Sequence, residues 1–224
     1  MLKNIIKESY IETMSLLLWL LSMAINKTVR LNVVGEEYIK ENHKEGKNVV
    51  FAFWHQATFP LFYYYRNRNV FIAPLDNTEG EILARFARRY KCQILRTPAE
   101  GDSFSRAKSS LSILKSLKNK YDCAIAVDGP PGESIFKVKP GGLFLSKKTG
   151  RVVVPVGVHA RCKITLPMRW DKYFIPLPFS RVIIVFDKPF RVSSDINGLG
   201  LKNESEKLEK TLHKITHKAK GFNE

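Results

Sequence analysis

The sequence is short of acid. Only 21 Asp and Glu stand against 37 Lys and Arg, leaving a formal net charge of +16 and a pI near 9.8. A field of that sign attracts anionic partners: lipid headgroups, nucleic acid or acidic proteins. Cysteine is scarce as well. Cys92, Cys123 and Cys162 are odd in number, far apart and form no C-x-x-C pair. That argues against a disulfide framework and a cysteine zinc site, and it fits a reducing compartment. Cys92 and Cys123 lie in apolar runs and are expected to be buried thiols. Long hydrophobic runs are missing too. Residues 14–25 (MSLLLWLLSMAI) are almost wholly apolar, but a spanning helix needs roughly 17–25 such residues. There is no Walker A sequence and no G-x-G-x-x-G, so nucleotide binding has no support. There is no G-x-S-x-G elbow to present a serine nucleophile. Internal repeats and low-complexity tracts are also absent.

What is present suits a globular protein. The chain has 224 residues, 44% hydrophobic and 26% charged, enough for one large domain or two small ones. Three stretches are distinguished: residues 1–27, residues 28–200 and residues 201–224. In the first, Lys3 and Lys7 precede the apolar run, but Glu8 and Glu12 dilute the basic region. That disfavours a cleaved signal peptide. Extended back to Ile5 and Ile6, the segment reads as a helix lying in a membrane interface. A helix packed on the domain's own core is the alternative. In the last stretch, Leu208, Leu212 and Ile215 recur at helical spacing, predicting an amphipathic closing helix over residues 203–220. Asn197-Gly198 and Gly200 read as the loop before it. His213 and His217 lie at i, i+4 on that charged helix and read as surface residues rather than a metal pair; no metal site is expected.

Between the ends, apolar strands alternate with helical stretches. Strands are expected at residues 29–34, 49–54 (VVFAFW), 70–73, 93–95, 123–127 (CAIAV), 152–158 and 182–186. Helices are expected at residues 79–90 and 105–118. Such alternation predicts a layered α/β domain with a largely parallel sheet flanked by helices. Ligands in such domains bind beyond the carboxyl ends of the strands.

Two of those strand ends carry suggestive side chains: Trp54-His55-Gln56, and Asp128-Gly129-Pro130-Pro131-Gly132. If the strands are parallel, His55 and Asp128 share an edge, and a histidine there can take a proton from a hydroxyl near neutral pH. A histidine beside aromatics is also a common structural residue. Residues 76–81 (DNTEGE) open a helix, so Asn77 or Thr78 reads as a cap; the functional reading places Glu79 or Glu81 near His55. Arg96 ends its strand at the same edge, where a guanidinium can clamp phosphate. Lys137, Lys139 and Pro140-Gly141-Gly142 read as a basic, glycine-containing loop that can approach an anion closely.

The order of these pieces resembles a known family. Trp54-His55, Glu79-Gly80-Glu81, Arg96, Val127-Asp128-Gly129-Pro130 with Gly132, Lys139-Pro140-Gly141, residues 152–156 (VVVPV) and residues 170–180 (WDKYFIPLPFS) follow one another. The series is similar to the family catalogued as domain of unknown function 374, within the lysophospholipid acyltransferase superfamily. It covers roughly residues 48 to 190. The resemblance implies a glycerolipid acyltransferase-like fold and transfer of a fatty acyl group from a thioester to a hydroxyl of a lysophospholipid or related lipid. His55 matches the superfamily's base. The acid that the superfamily places five residues later is replaced here by Pro60, which leaves Glu79 or Asp128 to orient the imidazole. Arg96 matches a phosphate-binding arginine; Glu81, Gly129 and Lys139 are carried over as substrate-binding positions. No cofactor is implied; acyl-CoA or acyl carrier protein is the donor substrate. An anionic membrane surface and a lipid acceptor are the expected partners, an acidic acyl carrier protein suits the basic surface, and no nucleic acid is expected. The expected location is peripheral, on the cytoplasmic face of a membrane. A catalytically weak lipid-binding protein of the same fold is the alternative, motivated by the missing acid at Pro60.

Overall fold

A computed structural model of the chain describes residues 2–96, 121–129 and 135–222. The expected helix at residues 105–118 and the turn residues Pro130, Pro131 and Gly132 lie outside the described residues. A seven-stranded sheet forms the middle layer, in the order β1 (Arg30–Val34), β9 (Arg181–Phe186), β6 (Val152–Ala160), β2 (Val49–Phe53), β5 (Asp122–Ala126), β3 (Val70–Ile72), β4 (Gln93–Ile94). Strands β6, β2, β5, β3 and β4 are mutually parallel, and β9 reverses direction against β6 and pairs in parallel with β1. The expected largely parallel α/β sheet is what the chain forms.

The sequence pattern explains the layering. Successive side chains of a strand point to opposite faces, and a central parallel strand is covered on both, so its run is continuously apolar. In β2, Val49, Phe51 and Phe53 enter one core and Val50 and Ala52 the other. The first core is roofed by α1 (Leu2–Thr28), α2 (Glu37–Lys44), α3 (Thr58–Tyr65) and α4 (Thr78–Arg89), through residues such as Ile39, Leu61, Phe62 and Phe86. The second is roofed by α5 (Gly141–Thr149) and α6 (Gly198–Gly221), through Leu143, Leu208, Leu212 and Ile215. Cys92 and Cys123 are buried and Cys162 is exposed; burial pushes the two buried thiols up to about 12.

Several local expectations change. Asn197 is the N-cap of α6, its side chain accepting from Gly200 N at 2.8 Å. The Asn-Gly-x-Gly stretch therefore starts the helix rather than a loop, and the division at residue 200 falls in its first turn. Pro140-Gly141-Gly142 likewise is not loop: Pro140 caps α5 and the glycines are its first turn, where Gly142 packs against Ile125 and Val127. A hairpin of β7 (Lys163–Thr165) and β8 (Phe174–Pro176), not foreseen, stands between β6 and β9.

The N-terminal helix has an inverted arrangement. The face it turns to the domain carries Ile11, Ser15, Ser22 and Asn26, all buried. Ser15 Oγ accepts from Arg89 Nη1 at 2.9 Å, and Ser22 and Tyr90 share a hydrogen bond of 2.8 Å. Glu8 and Glu12 pair with Arg85, and Glu12 also with Arg89. The aliphatic side chains point away: Ile6, Leu17 and Leu21 are 60%, 55% and 52% exposed. Among the described residues, no helix is long and apolar enough to cross a membrane.

Candidate active site

The connection leaving β2 runs through α3 on one face of the sheet, while that leaving β5 runs to α5 on the other. Adjacent parallel strands whose connections part in this way open a crevice at their carboxyl ends. His55 follows β2 and Asp128 follows β5, so both stand at this crevice. The edge placement read from the sequence is thus what the topology produces.

The imidazole does not meet Asp128. The Asp128 carboxylate accepts from the backbone N–H of His55 at 2.8 Å and fixes the turn. Its other oxygen, Oδ2, is buried without a hydrogen-bond partner among the described residues, and burial raises its carboxyl above the ordinary value. Glu79 lies exposed in the first turn of α4. Neither expected carboxylate is hydrogen-bonded to the imidazole. That partner is Asp171, from the loop between β7 and β8: His55 Nδ1 donates to Asp171 Oδ2 at 2.6 Å. Asp171 is fully buried (0% exposed). Arg169 grips the same carboxylate with two bonds, Nε to Oδ1 at 3.0 Å and Nη2 to Oδ2 at 2.9 Å, and Tyr173 N donates to Oδ1 at 3.1 Å. Burial alone would raise the Asp171 carboxyl; the hydrogen bonds from His55 and Arg169 outweigh it and hold the group well below the usual carboxylate range. An ionised carboxylate only accepts, so the proton resides on Nδ1 and Nε2 is left as the acceptor. Nε2 has no partner among the described residues, and the His55 side chain is 30% exposed. Trp170 and Tyr173 pack near the ring at centroid distances of 5.5 and 6.1 Å.

The remaining expected residues fall at graded distances. Gly129 lies against the imidazole: a Cβ there would sit 3.7 Å from His55 Cδ2. Lys139 donates its backbone N–H to Val127 O at 2.8 Å, which holds its segment beside the end of β5. Asn77, not a catalytic carboxylate, organises the start of α4, its side chain accepting from Gly80 N at 2.7 Å. Glu81 and Arg96 pair with each other, and Glu81 also takes Arg85. Arg96 follows β4, three strand positions from β2, or about 14 Å at the usual strand spacing. Asp171 was missed, although it carried a signal: it is the sole acid between Glu133 and Asp187 in a basic stretch.

At the opposite edge of the sheet, His43 Nε2 donates to both oxygens of buried Asp122 at 3.0 Å, beside a cavity of about 380 Å³. Asp122 also accepts from the Asn48 side chain and from Val49 N, so it clamps the end of α2 to β2 and β5.

No protein-family model matches the sequence. The chain is 26% identical over 179 residues to an uncharacterised protein of Rickettsia prowazekii (strain Madrid E), covering 78% of this chain and 79% of that protein. Its fold is similar to the crystal structure of the 1-acyl-sn-glycerophosphate (LPA) acyltransferase PlsC from Thermotoga maritima. The TM-score is 0.53 over 93% of this chain and 81% of that one, at 16% sequence identity. The likeness establishes a shared α/β architecture.

Proposed function

We propose that the chain transfers a fatty acyl group from a thioester donor, acyl-CoA or acyl carrier protein, to a hydroxyl of a lysophospholipid or related lipid. The observation that carries the proposal is the His55–Asp171 pair at the sheet's crevice, in a fold like that of an acyltransferase. His55 Nε2 takes the acceptor proton as the hydroxyl oxygen attacks the thioester carbonyl. The tetrahedral adduct collapses with loss of the thiolate, which receives the proton back from the imidazolium. Asp171 holds the tautomer and stabilises the imidazolium; no acyl-enzyme forms. Arg96, beside Glu81, is proposed to meet an anionic group of the acceptor, with Gly129 and Lys139 lining the approach. The order of motifs supports placing the chain in the family catalogued as domain of unknown function 374. The Asp171 contact favours a catalytic protein over a silent lipid-binding one.

The same reading places the protein peripherally on the cytoplasmic face of a membrane. Outward leucines on α1 and a net charge of +16 support it. Each half-exposed leucine would contribute on the order of 1 kcal/mol on entering the lipid interface, and basic residues near an anionic surface about 1 kcal/mol each. The test incubates wild-type protein and anionic vesicles with acyl thioesters and a panel of lysophospholipid, glycerol phosphate and glycolipid acceptors. Expected is an acylated product with stoichiometric thiol release. Folded wild type that acylates none of them refutes the proposal.

A further inference from the structure

The hairpin that delivers Asp171 has an outer surface unlike the rest of the active edge. Met168 at its tip is 98% exposed and Phe179 in the turn after it 73%. Ile164 in β7 and Leu177 after β8 are exposed as well. Phe179 adopts φ +63°, a left-handed conformation that a bulky L-residue reaches only at a cost, and the turn so formed holds the ring out in solvent. Arg161, Lys172 and Arg181 are exposed in the same segment, Arg169 is held by Asp171, and that single acid of the segment is buried. The exposed charges of this segment are therefore all positive, standing with its apolar side chains and with Cys162 and Thr165. The segment also joins α1: Phe179 N donates to Thr28 Oγ1 at 3.1 Å, and Arg30 N to Ser180 O at 2.9 Å. The turn is thus fastened to the end of the helix whose leucines point outward.

We propose that the β7–β8 hairpin and its following turn are a second lipid-contacting element, inserting Met168 and Phe179 into an anionic bilayer while the surrounding cations meet its headgroups. This rests on the membrane reading of α1 and deepens it, since the element that touches lipid is the one that supplies Asp171 to His55. A bilayer fits this face better than a small ligand, because its apolar side chains are exposed rather than enclosed and the exposed charges of the segment are all basic. Acceptor lipid would then enter the His55 crevice beside the hairpin without leaving the surface.

The test uses the full chain carrying Met168→Cys in a Cys162→Ser background, which leaves the two buried thiols unlabelled. An environment-sensitive fluorophore at position 168 should shift to the blue with phosphatidylcholine vesicles containing phosphatidylglycerol, be quenched by brominated lipid, and respond less as salt is raised. A parallel label at Leu17→Cys reports α1. Separately, Met168→Glu with Phe179→Glu should weaken vesicle binding by on the order of 10-fold or more, with circular dichroism and melting unchanged. If the α1 label shifts and the hairpin label does not, the hairpin proposal is overturned while the α1 reading stands. If neither shifts, both fall. A hairpin shift given by soluble acyl carrier protein and not by vesicles overturns the lipid assignment in favour of an acidic protein partner.

Discussion

Replacing Asp171 with Asn tests the proposed chemistry most sharply, because the structure dictates how the substitution fails. Oδ1 accepts from Arg169 Nε and Tyr173 N, and Oδ2 from His55 Nδ1 and Arg169 Nη2. An amide has one acceptor oxygen, so its NH₂ must face donors on one side. With the oxygen kept on the Oδ1 side, the NH₂ faces His55 Nδ1 and forces the proton to Nε2, the atom that must accept. The imidazolium formed in the transition state also loses its counter-charge. At about 4 Å and an effective dielectric near 20 that attraction is about 4 kcal/mol, equivalent to about 10³-fold in rate. Asp171→Asn should therefore lower kcat by about 10³-fold, and His55→Ala by roughly 10²–10⁴-fold. The double variant should be no worse than the poorer single one, since the two act as one unit. The assay is thiol release from the acyl donor at saturating acceptor, with folding checked by circular dichroism. A folded Asp171→Asn enzyme with undiminished kcat refutes the pair; so does an equal kcat loss from Glu79→Gln with Asp171→Asn harmless.

Other outcomes follow from neighbouring contacts. Asp128→Asn keeps an oxygen for His55 N–H and removes a buried charge whose carboxyl is already raised by burial, so Tm should hold or rise. Asp128→Ala strands that N–H and should cost about 1–3 kcal/mol, read as a lowered Tm; equal melting of both variants contradicts the contact's role. Arg96→Ala should raise KM for a phosphate-bearing acceptor by roughly 10- to 100-fold while sparing kcat, and an unchanged KM removes Arg96 from the acceptor site. The His43 imidazolium is favoured in the fold chiefly by its hydrogen bond to Asp122, against desolvation and Arg68. Its folded pKa lies above the unfolded value of about 6.5, so its stabilisation is complete below about pH 6.5 and is lost as pH rises through the folded value. The Tm gap between wild type and His43→Gln should shrink as pH rises above about 6.5, and a flat gap rejects that linkage.

Much of the framework was legible because it rests on local pattern. The runs at residues 49–54 and 123–127 are continuously apolar and short, which suits a strand covered on both faces. Their parallel pairing puts His55 and Asp128 at one edge without further information. The Asn77 cap and the leucine period of the closing helix were readable for the same reason: both act within one or two turns. By contrast, α3 and α5 escaped notice, since Pro60 and Gly141-Gly142 mask helices that are decided by packing on the sheet rather than by propensity.

What the sequence determined by itself is most of the strands, the largely parallel character of their sheet and the histidine at a strand's end. What only the tertiary structure decided is which acid reaches that histidine and which way the first helix faces. Asp171 lies 116 residues from His55 along the chain, and no periodicity links a hairpin loop to a strand end; the reversal of β9 after the hairpin brings it there. In α1 the apolar pattern alone leaves open whether the leucines meet lipid or the domain's own core. Arg85, Arg89 and Tyr90 on and beside α4 satisfy Glu8, Glu12, Ser15 and Ser22. Buried polar groups left unpaired are costly, so the polar stripe takes the inner face and the leucines are left outside.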